Sequence, residues 1–260
     1  MQEKRSYIKS NLEKEHETGI DNTVKKSIPI VGVLHIDNIH YIKPDSTVLP
    51  KAFVVIFSGG EEREKDYFHL ITKNPDIYSD IRIDFFPNPN FKKGGKPEIV
   101  EFAVNKKKDY QESVNEDNPD SYFLLTDVDH FEMFLQEMKE MCDKSSIELI
   151  ISNSCFEVWL YYAEKDDKCV NFIVPDNRLK ISSKFKTWAN TAVRGGLDPK
   201  KAILKIEQNI ENARKNYSEI NGIPTLFSTQ MFRLAEKMLP HIIDGNEIII
   251  QNINAKHKQK

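Results

Sequence analysis

The chain has 260 residues, of which 39% are hydrophobic, 10% aromatic and 30% charged; this composition excludes a disordered protein and suits one large α/β domain or one domain with an appended lobe. With 37 basic and 40 acidic residues the net charge is −3, so the overall balance is not that of a strongly basic nucleic-acid-binding protein, and local basic patches would have to carry such binding. The three cysteines lack CxxC spacing, which argues against a zinc site and a disulfide framework.

Residues 1–50 are predicted to form an N-terminal arm followed by edge strands. The first 28 residues are polar, and the run from Ile28 to Ile42 alternates as extended structure does. The N-terminus has no apolar core of the signal-peptide kind, and no run approaches the ~20 apolar residues that a membrane span needs. We therefore expect a cytoplasmic protein that is neither secreted nor inserted in a membrane.

Residues 51–176 are predicted to form an α/β domain with a doubly wound, mostly parallel sheet. The run from Ala52 to Phe57 is apolar at every position, which is typical of a strand buried on both faces. Further strands are predicted at residues 81–86, 122–126 and 148–152, with helices at residues 61–70, 98–111 and 130–143. A last apolar helix follows in SNSCFEVWLYYAEKD, which we expect to begin at a capping Asn or Ser. This alternation places function at the carboxyl ends of the strands.

Residues 177–260 are predicted to form a mostly helical C-terminal lobe, with no strand between residues 179 and 243. Apolar residues recur at helical spacing between Pro199 and Tyr217. Breaks are predicted at Gly195-Gly196, at Asn221-Gly222 and at Pro240. Residues 247–253 read as a last strand or a short helix, and the tail AKHKQK is predicted to be loose.

Acidic side chains follow three of the predicted strands. The first strand runs through two glycines into a glutamate cluster, which is either a set of metal ligands or a solvated turn entering a helix. The third strand is followed by Asp127 and Asp129, whose spacing puts both side chains on one side of an extended backbone. A helix N-cap is the alternative for this pair. Glu157 follows the fourth strand, and its alternative is a helical Glu that caps or pairs locally.

These acidic groups are expected to meet, because the carboxyl ends of parallel strands face one crevice. A hard divalent cation such as Mg²⁺ prefers oxygen ligands of this kind. The sequence lacks GxGxxG and a Walker-type lysine, which disfavours a dinucleotide-binding domain and a P-loop.

Four segments in chain order resemble the RloB-like family of bacterial defence proteins, which is usually placed in the Toprim superfamily. They read VVIFSGGEEREKDYF, LLTDVDHF, IISNSCFEVWLYY and NARKNYSEINGIPTLFSTQMFRLAEKML. The resemblance implies a Toprim-like fold and a Mg²⁺- or Mn²⁺-dependent nuclease that cuts DNA or RNA as an anti-phage effector. It also implies an ATPase partner of the OLD or ABC type, and it leaves homo-oligomer formation open.

Carried over by position, the resemblance implies that Asp127 and Asp129 bind the ion and that Glu61 is a further metal ligand. The implied catalytic residues are Glu61, Glu64 and Glu157. Basic residues of the helical lobe are expected to track the nucleic-acid backbone, and the candidates are Lys184, Arg194 and Lys200.

Three positions depart from the family pattern, Gly59, Ser154 and Ala163, and the first of them bears on catalysis. The leading glutamate of the first motif, which Toprim enzymes use as general acid or base, falls on Gly59. Two explanations are open. Glu61 reaches the same ion through the flexible turn that Gly59 and Gly60 provide, or this chain has lost the reaction and serves as a non-catalytic subunit that binds an ATPase or nucleic acid.

Overall fold

The structure is a computed structural model that describes residues 50–60, 62–87, 98–112 and 119–258. Within these ranges the strands are β1 (Ala52–Ser58), β2 (Ile81–Pro87), β3 (Ser121–Asp127), β4 (Glu148–Asn153), β5 (Glu219–Ile220), β6 (Ile223–Pro224) and β7 (Ser228–Thr229). The predicted arm and edge strands at residues 1–49 lie outside the described residues. So does the predicted loop that follows β2.

The helices are α1 (Arg63–Lys73), α2 (Glu98–Glu112), α3 (Val128–Phe131), α4 (Leu135–Lys144), α5 (Glu157–Tyr162), α6 (Ile181–Ala192), α7 (Pro199–Ala202), α8 (Ile206–Lys215) and α9 (Met231–Lys258). Short 3-10 segments precede α6 and α8, at Arg178–Lys180 and Ile203–Lys205. None of the described helices is both long enough and apolar enough to cross a membrane.

The main sheet has five strands in the order β2-β1-β3-β4-β7. The first four are parallel to one another, and β7 runs antiparallel to β4. This arrangement confirms the predicted α/β class with a mostly parallel sheet and a helical C-terminal region.

Strand β1 is buried along its whole length, as its continuous apolar run predicts. Phe53, Val55 and Phe57 face a core to which α2 and α4 contribute, with Ile99 and Met138 among the buried residues. Side chains of a strand alternate between its faces, so the intervening residues of β1 point into a second core. Covering both faces of a parallel sheet with helices removes its backbone from water.

The predicted helix at residues 130–143 is two helices. A turn at residues 132–134 separates α3 from α4, and the N–H of Phe134 donates to the carbonyl of Phe131 at 2.7 Å. A bond to the third residue back tightens the chain and ends the regular helix. Met133, in this turn, is 91% exposed.

The predicted Asn or Ser cap of α5 is wrong. Phe156 occupies the N-cap position, and no side chain makes a capping hydrogen bond there. Asn153 instead donates its Nδ2 to the carbonyl of Pro224 at 2.8 Å. The amide is engaged by a distant part of the chain, a contact that local sequence cannot reveal.

The prediction that residues 179–243 contain no strand is also wrong. Strands β5 and β6 form a two-residue pair, and β7 joins the main sheet beside β4. Ser152 and Thr229 share a hydrogen bond of 2.8 Å between their hydroxyls at this junction. Such short polar strands carry too little alternation to be recognised from sequence. The helical stripe after Pro199 is present, divided into α7, a 3-10 segment and α8.

Helix α9 continues through two predicted interruptions. Pro240 lies inside it, and the tail that was expected to be loose is helical as far as Lys258. Pro240 is exposed, whereas Met238 and Ile242 are buried. The carbonyl that loses its hydrogen bond at a proline can bond to water on an exposed helix face, so packing of the buried face maintains the helix.

Helix α9 packs against Tyr78, which lies in the segment before β2. The Tyr78 hydroxyl donates to the Asn246 Oδ1 at 2.9 Å, and the Asn246 Nδ2 donates to the carbonyl of Ile203 at 2.9 Å. A Cβ on Gly245 would lie 2.5 Å from the Tyr78 Cδ1. The close approach of helix and ring therefore requires glycine.

We expect Gly245→Ala to destabilise the protein by about 1–3 kcal/mol, because the new methyl group overlaps a buried ring that has no free space. Without this contact the same change inside a helix would stabilise the protein by about 0.5–1 kcal/mol. The sign of the change in unfolding free energy therefore shows whether the contact exists. Urea unfolding followed by circular dichroism measures it. Glu247→Ala, at an exposed position of the same helix, is the control and should change stability little. A stabilised Gly245→Ala variant would contradict the packing described.

Candidate active site

The register of the parallel strands brings three chain segments to one edge of the sheet. Ser58 pairs with Leu125, and Asp127 pairs with Ser152. The turn after β1, the start of α3 and the segment between β4 and α5 therefore leave the sheet side by side. This edge is where open α/β sheets bind their ligands.

Glu64, in the first turn of α1, is only 8% exposed. Its carboxyl group lies so close to Gly60 that a Cβ on Gly60 would overlap it. Gly60 in turn donates its N–H to the Ser58 hydroxyl at 3.1 Å. The segment after β1 is thus not a solvated turn at Glu64, because the glycine makes room for a buried carboxylate.

Burial is the main reason that the pKa of Glu64 is raised to about 7, and the charge of Glu157 acts in the same direction. A hydrogen bond from the backbone N–H of Glu64 and the charge of Lys186 lower this pKa by smaller amounts. Taking a carboxylate out of water disfavours its charged form. Glu64 can therefore hold or release a proton near neutral pH.

Asp127 and Asp129 flank the start of α3. Asp127 occupies the N-cap position, yet its side chain makes no capping hydrogen bond. The helix-cap alternative for this pair therefore has no support in the geometry. Burial raises the pKa of Asp127 well above its ordinary value, and the charges of Glu64 and Asp129 raise it further. Asp129 itself is exposed.

Glu157 begins α5 and is 6% exposed. Its Oε2 lies 3.5 Å from the Nζ of Lys186 on α6, so Glu157 pairs with a distant residue rather than locally. Burial lowers the pKa of Lys186, but the carboxylates of Glu157 and Asp127 outweigh it and the pKa is raised overall. Lys186 is thus held as a cation among carboxylates.

Within the described ranges, none of the three predicted nucleic-acid contacts forms an ion pair with the carboxylates of this cluster. Lys184 is exposed on α6, Arg194 is exposed just after it, and Lys200 on α7 lies 3.9 Å from the Oδ1 of Asp66. The cation that reaches the cluster is Lys186, two residues beyond Lys184.

The sequence-based prediction did not assign Lys186 to the site, although a signal for this role exists. Ser182, Phe185 and Ala189 form the buried stripe of α6. Residues four apart on a helix share a face, so Lys186 follows Ser182 towards the interior. Lys184 falls outside this stripe and faces solvent.

The oxygen-rich composition of this cluster suits a hard cation such as Mg²⁺ or Mn²⁺. The raised pKa values of Glu64 and Asp127 also reflect negative charge that a cation would relieve. However, no three His, Cys, Asp or Glu side chains of the described residues are arranged to hold a metal ion. Glu61, the third ligand predicted from sequence, lies outside the described residues. The described part of the site fits the cation chemically and leaves its ligand set incomplete.

Two hydrogen bonds attach the surrounding helices to neighbouring segments. Arg63 of α1 donates to the carbonyl of Leu197 at 3.1 Å. Ser182 of α6 donates its hydroxyl to the carbonyl of Ser154 at 3.1 Å, next to a cis peptide bond between Asn153 and Ser154. The helix that carries Lys186 is therefore attached just after β4, and the helix that carries Glu64 is attached to the segment before α7.

Comparison with known proteins identifies one family. A family model described as RloB-like protein matches residues 54–238, which include all four described carboxylates and Lys186. No curated protein and no solved structure matches the chain.

We expect Glu64→Gln to stabilise the protein at pH 8 by about 2 kcal/mol in the absence of divalent cations. The folded-state pKa of about 7 exceeds the ordinary value of 4.5, so the folded protein binds more protons between these values and wild-type stability falls as pH rises through them. Glu64→Gln does not lose stability in this way as pH rises. Its free energy of unfolding should therefore approach that of the wild type towards pH 4. Urea unfolding at several pH values measures it.

Glu62→Gln is the matched control, because Glu62 is exposed two residues away. It should leave the pH dependence of stability unchanged. If Glu64→Gln and Glu62→Gln behave alike at pH 8, Glu64 is not a buried, destabilised carboxylate.

Proposed function

The chain belongs to the RloB-like protein family, and we propose that it is a Toprim-type nuclease that depends on Mg²⁺ or Mn²⁺ and hydrolyses phosphodiester bonds of DNA or RNA. We further propose that it acts in the cytoplasm as an anti-phage defence effector, together with an ATPase partner of the OLD or ABC type. The family resemblance supports the defence role and the partner. The carboxylate cluster at the strand ends supports the chemistry.

The observation that carries this proposal is the meeting of Glu64, Asp127 and Glu157 at one edge of the sheet. Burial and mutual repulsion raise the pKa of Glu64 and of Asp127. Placing like charges together in a protein interior costs stability. Perturbed carboxylates in a crevice are typical of catalytic sites.

Asp127 and Asp129 would hold the cation, with Glu61 completing the ligand set. A bound divalent cation supplies polarisation of the scissile phosphate and activation of water. Glu64, with a pKa of about 7, is suited to accept a proton from the attacking water at neutral pH. Glu157 positions Lys186 through their 3.5 Å ion pair.

The lysine and the outer basic residues would handle the anionic substrate. Lys186 offers a positive charge inside a cluster that otherwise repels phosphate. Lys184, Arg194 and Lys200 would contact the sugar-phosphate backbone around the site. Contacts of this kind position a nucleic acid without reading its sequence.

A non-catalytic subunit is the second candidate function. It is favoured by Gly59, which stands where related proteins have a glutamate, and by the incomplete ligand set among the described residues. In this case the same fold would bind the ATPase or nucleic acid without cutting. The two hypotheses differ in what they predict for Asp127. Only the nuclease hypothesis predicts cleavage that depends on this residue.

We expect Asp127→Asn to reduce metal-dependent cleavage by more than about 100-fold, because a neutral amide oxygen is a weaker ligand than a carboxylate and does not balance the charge of the cation. The assay incubates purified protein, with and without its ATPase partner, with labelled DNA and RNA in Mg²⁺ or Mn²⁺. Asp143→Asn is the control, since Asp143 lies at the exposed end of α4 in an ion pair with Lys139. No cleavage by the wild-type protein under any of these conditions would reject the nuclease and favour the subunit.

Restoring the missing glutamate tests whether Glu61 has replaced it. A Cβ on Gly59 would meet nothing nearer than the Phe131 Cε2 at 3.7 Å, so a side chain can begin at this position, and thermal unfolding checks that Gly59→Glu folds. We expect its cleavage rate to stay within about threefold of wild type, an energy difference below about 1 kcal/mol.

Gly60→Ala is the contrasting variant, because its methyl group would displace the Glu64 carboxyl group. It should lose most of the cleavage activity. If Gly59→Glu creates cleavage that the wild-type protein lacks, the natural chain is the non-catalytic subunit instead.

A further inference from the structure

A pocket of about 240 Å³ opens next to the carboxylate cluster, on the side of Asp129. Its walls come from the start of α3, the segment after β4, the start of α6 and the loop before β7. It therefore lies at the same carboxyl edge of the sheet as the proposed catalytic groups. The proposed nuclease chemistry involves Asp129 and leaves the rest of this pocket without a role.

The walls of the pocket combine apolar and polar groups. Val128, Ile181 and Leu226 supply aliphatic surface that is only partly buried. Asn153 adds an amide that is oriented by its 2.8 Å hydrogen bond to the Pro224 carbonyl. Flat apolar walls with a fixed hydrogen-bonding group at one end are what a nucleobase requires, since it has two apolar faces and a polar edge.

The size of the pocket favours one base over a larger ligand. Pockets for drug-sized molecules have about 300–1,000 Å³, and this one is smaller. A duplex cannot enter it, so only a base that has left the stack would fit.

The rim of the pocket suits a single strand. Arg178 lines it and lies 3.6 Å from Glu132, and both side chains are mostly exposed. An exposed ion pair contributes little stability, so Arg178 is available to a phosphate. Met133 and Leu179, the residues next to this pair, are 91% and 89% exposed. Exposed apolar side chains beside a nucleic-acid site can insert between bases and separate them.

We propose that this pocket binds an unstacked base next to the cleaved phosphodiester bond, and that the substrate is therefore single-stranded DNA or RNA. This inference rests on the proposed function, because it assigns the substrate class of the same site. The base would lie between the aliphatic walls, with Asn153 at its polar edge and Arg178 on a neighbouring phosphate.

The test measures binding of fluorescein-labelled oligonucleotides by fluorescence anisotropy, with Ca²⁺ in place of Mg²⁺ to limit cleavage. Four ligands of equal length are compared, which are a DNA strand, an RNA strand, a DNA duplex and an abasic strand. Stacking of a base on an aromatic side chain strengthens binding by about 5- to 150-fold, and aliphatic walls should give the lower part of this range. We therefore expect the DNA or RNA strand to bind at least about tenfold more tightly than the duplex and the abasic strand.

A substitution that fills the pocket with a larger side chain tests the same proposal on the protein. Leu226→Trp should weaken single-strand binding by about tenfold and leave binding of the abasic strand unchanged. Ile220→Trp is the control, because Ile220 is 68% exposed on β5 and does not line the pocket. Thermal unfolding of both variants checks that they fold. If Leu226→Trp does not fold, the comparison of natural and abasic strands on the wild-type protein decides alone.

The outcomes separate this inference from the proposed function. If the protein binds or cuts nucleic acid but does not distinguish the natural strand from the abasic strand or the duplex, the base pocket is rejected and the nuclease stands. Equal effects of Leu226→Trp and Ile220→Trp on single-strand binding would reject it in the same way. If no oligonucleotide is bound or cut, both proposals fail together.

Discussion

Strand β1 is confined on all sides, and this confinement fixes the position of the candidate site. Parallel neighbours bond to both of its edges, and cores cover both of its faces. A slip by one residue would move every side chain of this strand into the opposite core, where the surrounding side chains leave a space of different size and shape. The end of β1 at Ser58 is therefore fixed beside β3. The turn that follows Ser58 places Glu64 at the edge of the sheet where β3 ends at Asp127.

The site concentrates negative charge that the fold itself does not need. Glu64 and Glu157 are both less than a tenth exposed, and among the described residues Lys186 forms its ion pair with Glu157. One face of the sheet packs on an apolar core, with Phe57, Leu124 and Ile151 among its buried residues. A protein that only required stability would place apolar residues at these positions. The unfavourable electrostatics thus indicate that this edge serves binding or chemistry.

Sequence patterns predicted the parts of the fold that depend on local periodicity. The uninterrupted apolar run of β1 and the alternation of strands with helices both led to the correct sheet. The errors arose where distant contacts decide the outcome. Pro240 stays inside α9 because buried neighbours hold the helix, and Asn153 leaves its expected capping role because Pro224 engages it.

The same division applies to the candidate site. Asp127 and Glu157 were predicted because Asp127 directly follows one predicted strand, Glu157 lies in the segment after the next one, and the two strands are neighbours. Lys186 was not, because its role depends on which face of α6 turns inward. The pocket next to Asp129 is assembled from segments far apart in the sequence, including the one that carries Leu226, so no local motif marks it.

The contact between Gly60 and the Glu64 carboxyl group has a consequence for evolution. Any side chain at position 60 would occupy the space that this carboxyl group fills. A substitution at position 60 is therefore tolerated only together with a substitution at position 64. Among homologous sequences we expect the two positions to covary, so that a chain with a larger residue at position 60 has also exchanged the glutamate at position 64 for a shorter or neutral residue. The residues found together at positions 60 and 64 in an alignment of the family would thus identify the members that have kept this carboxylate.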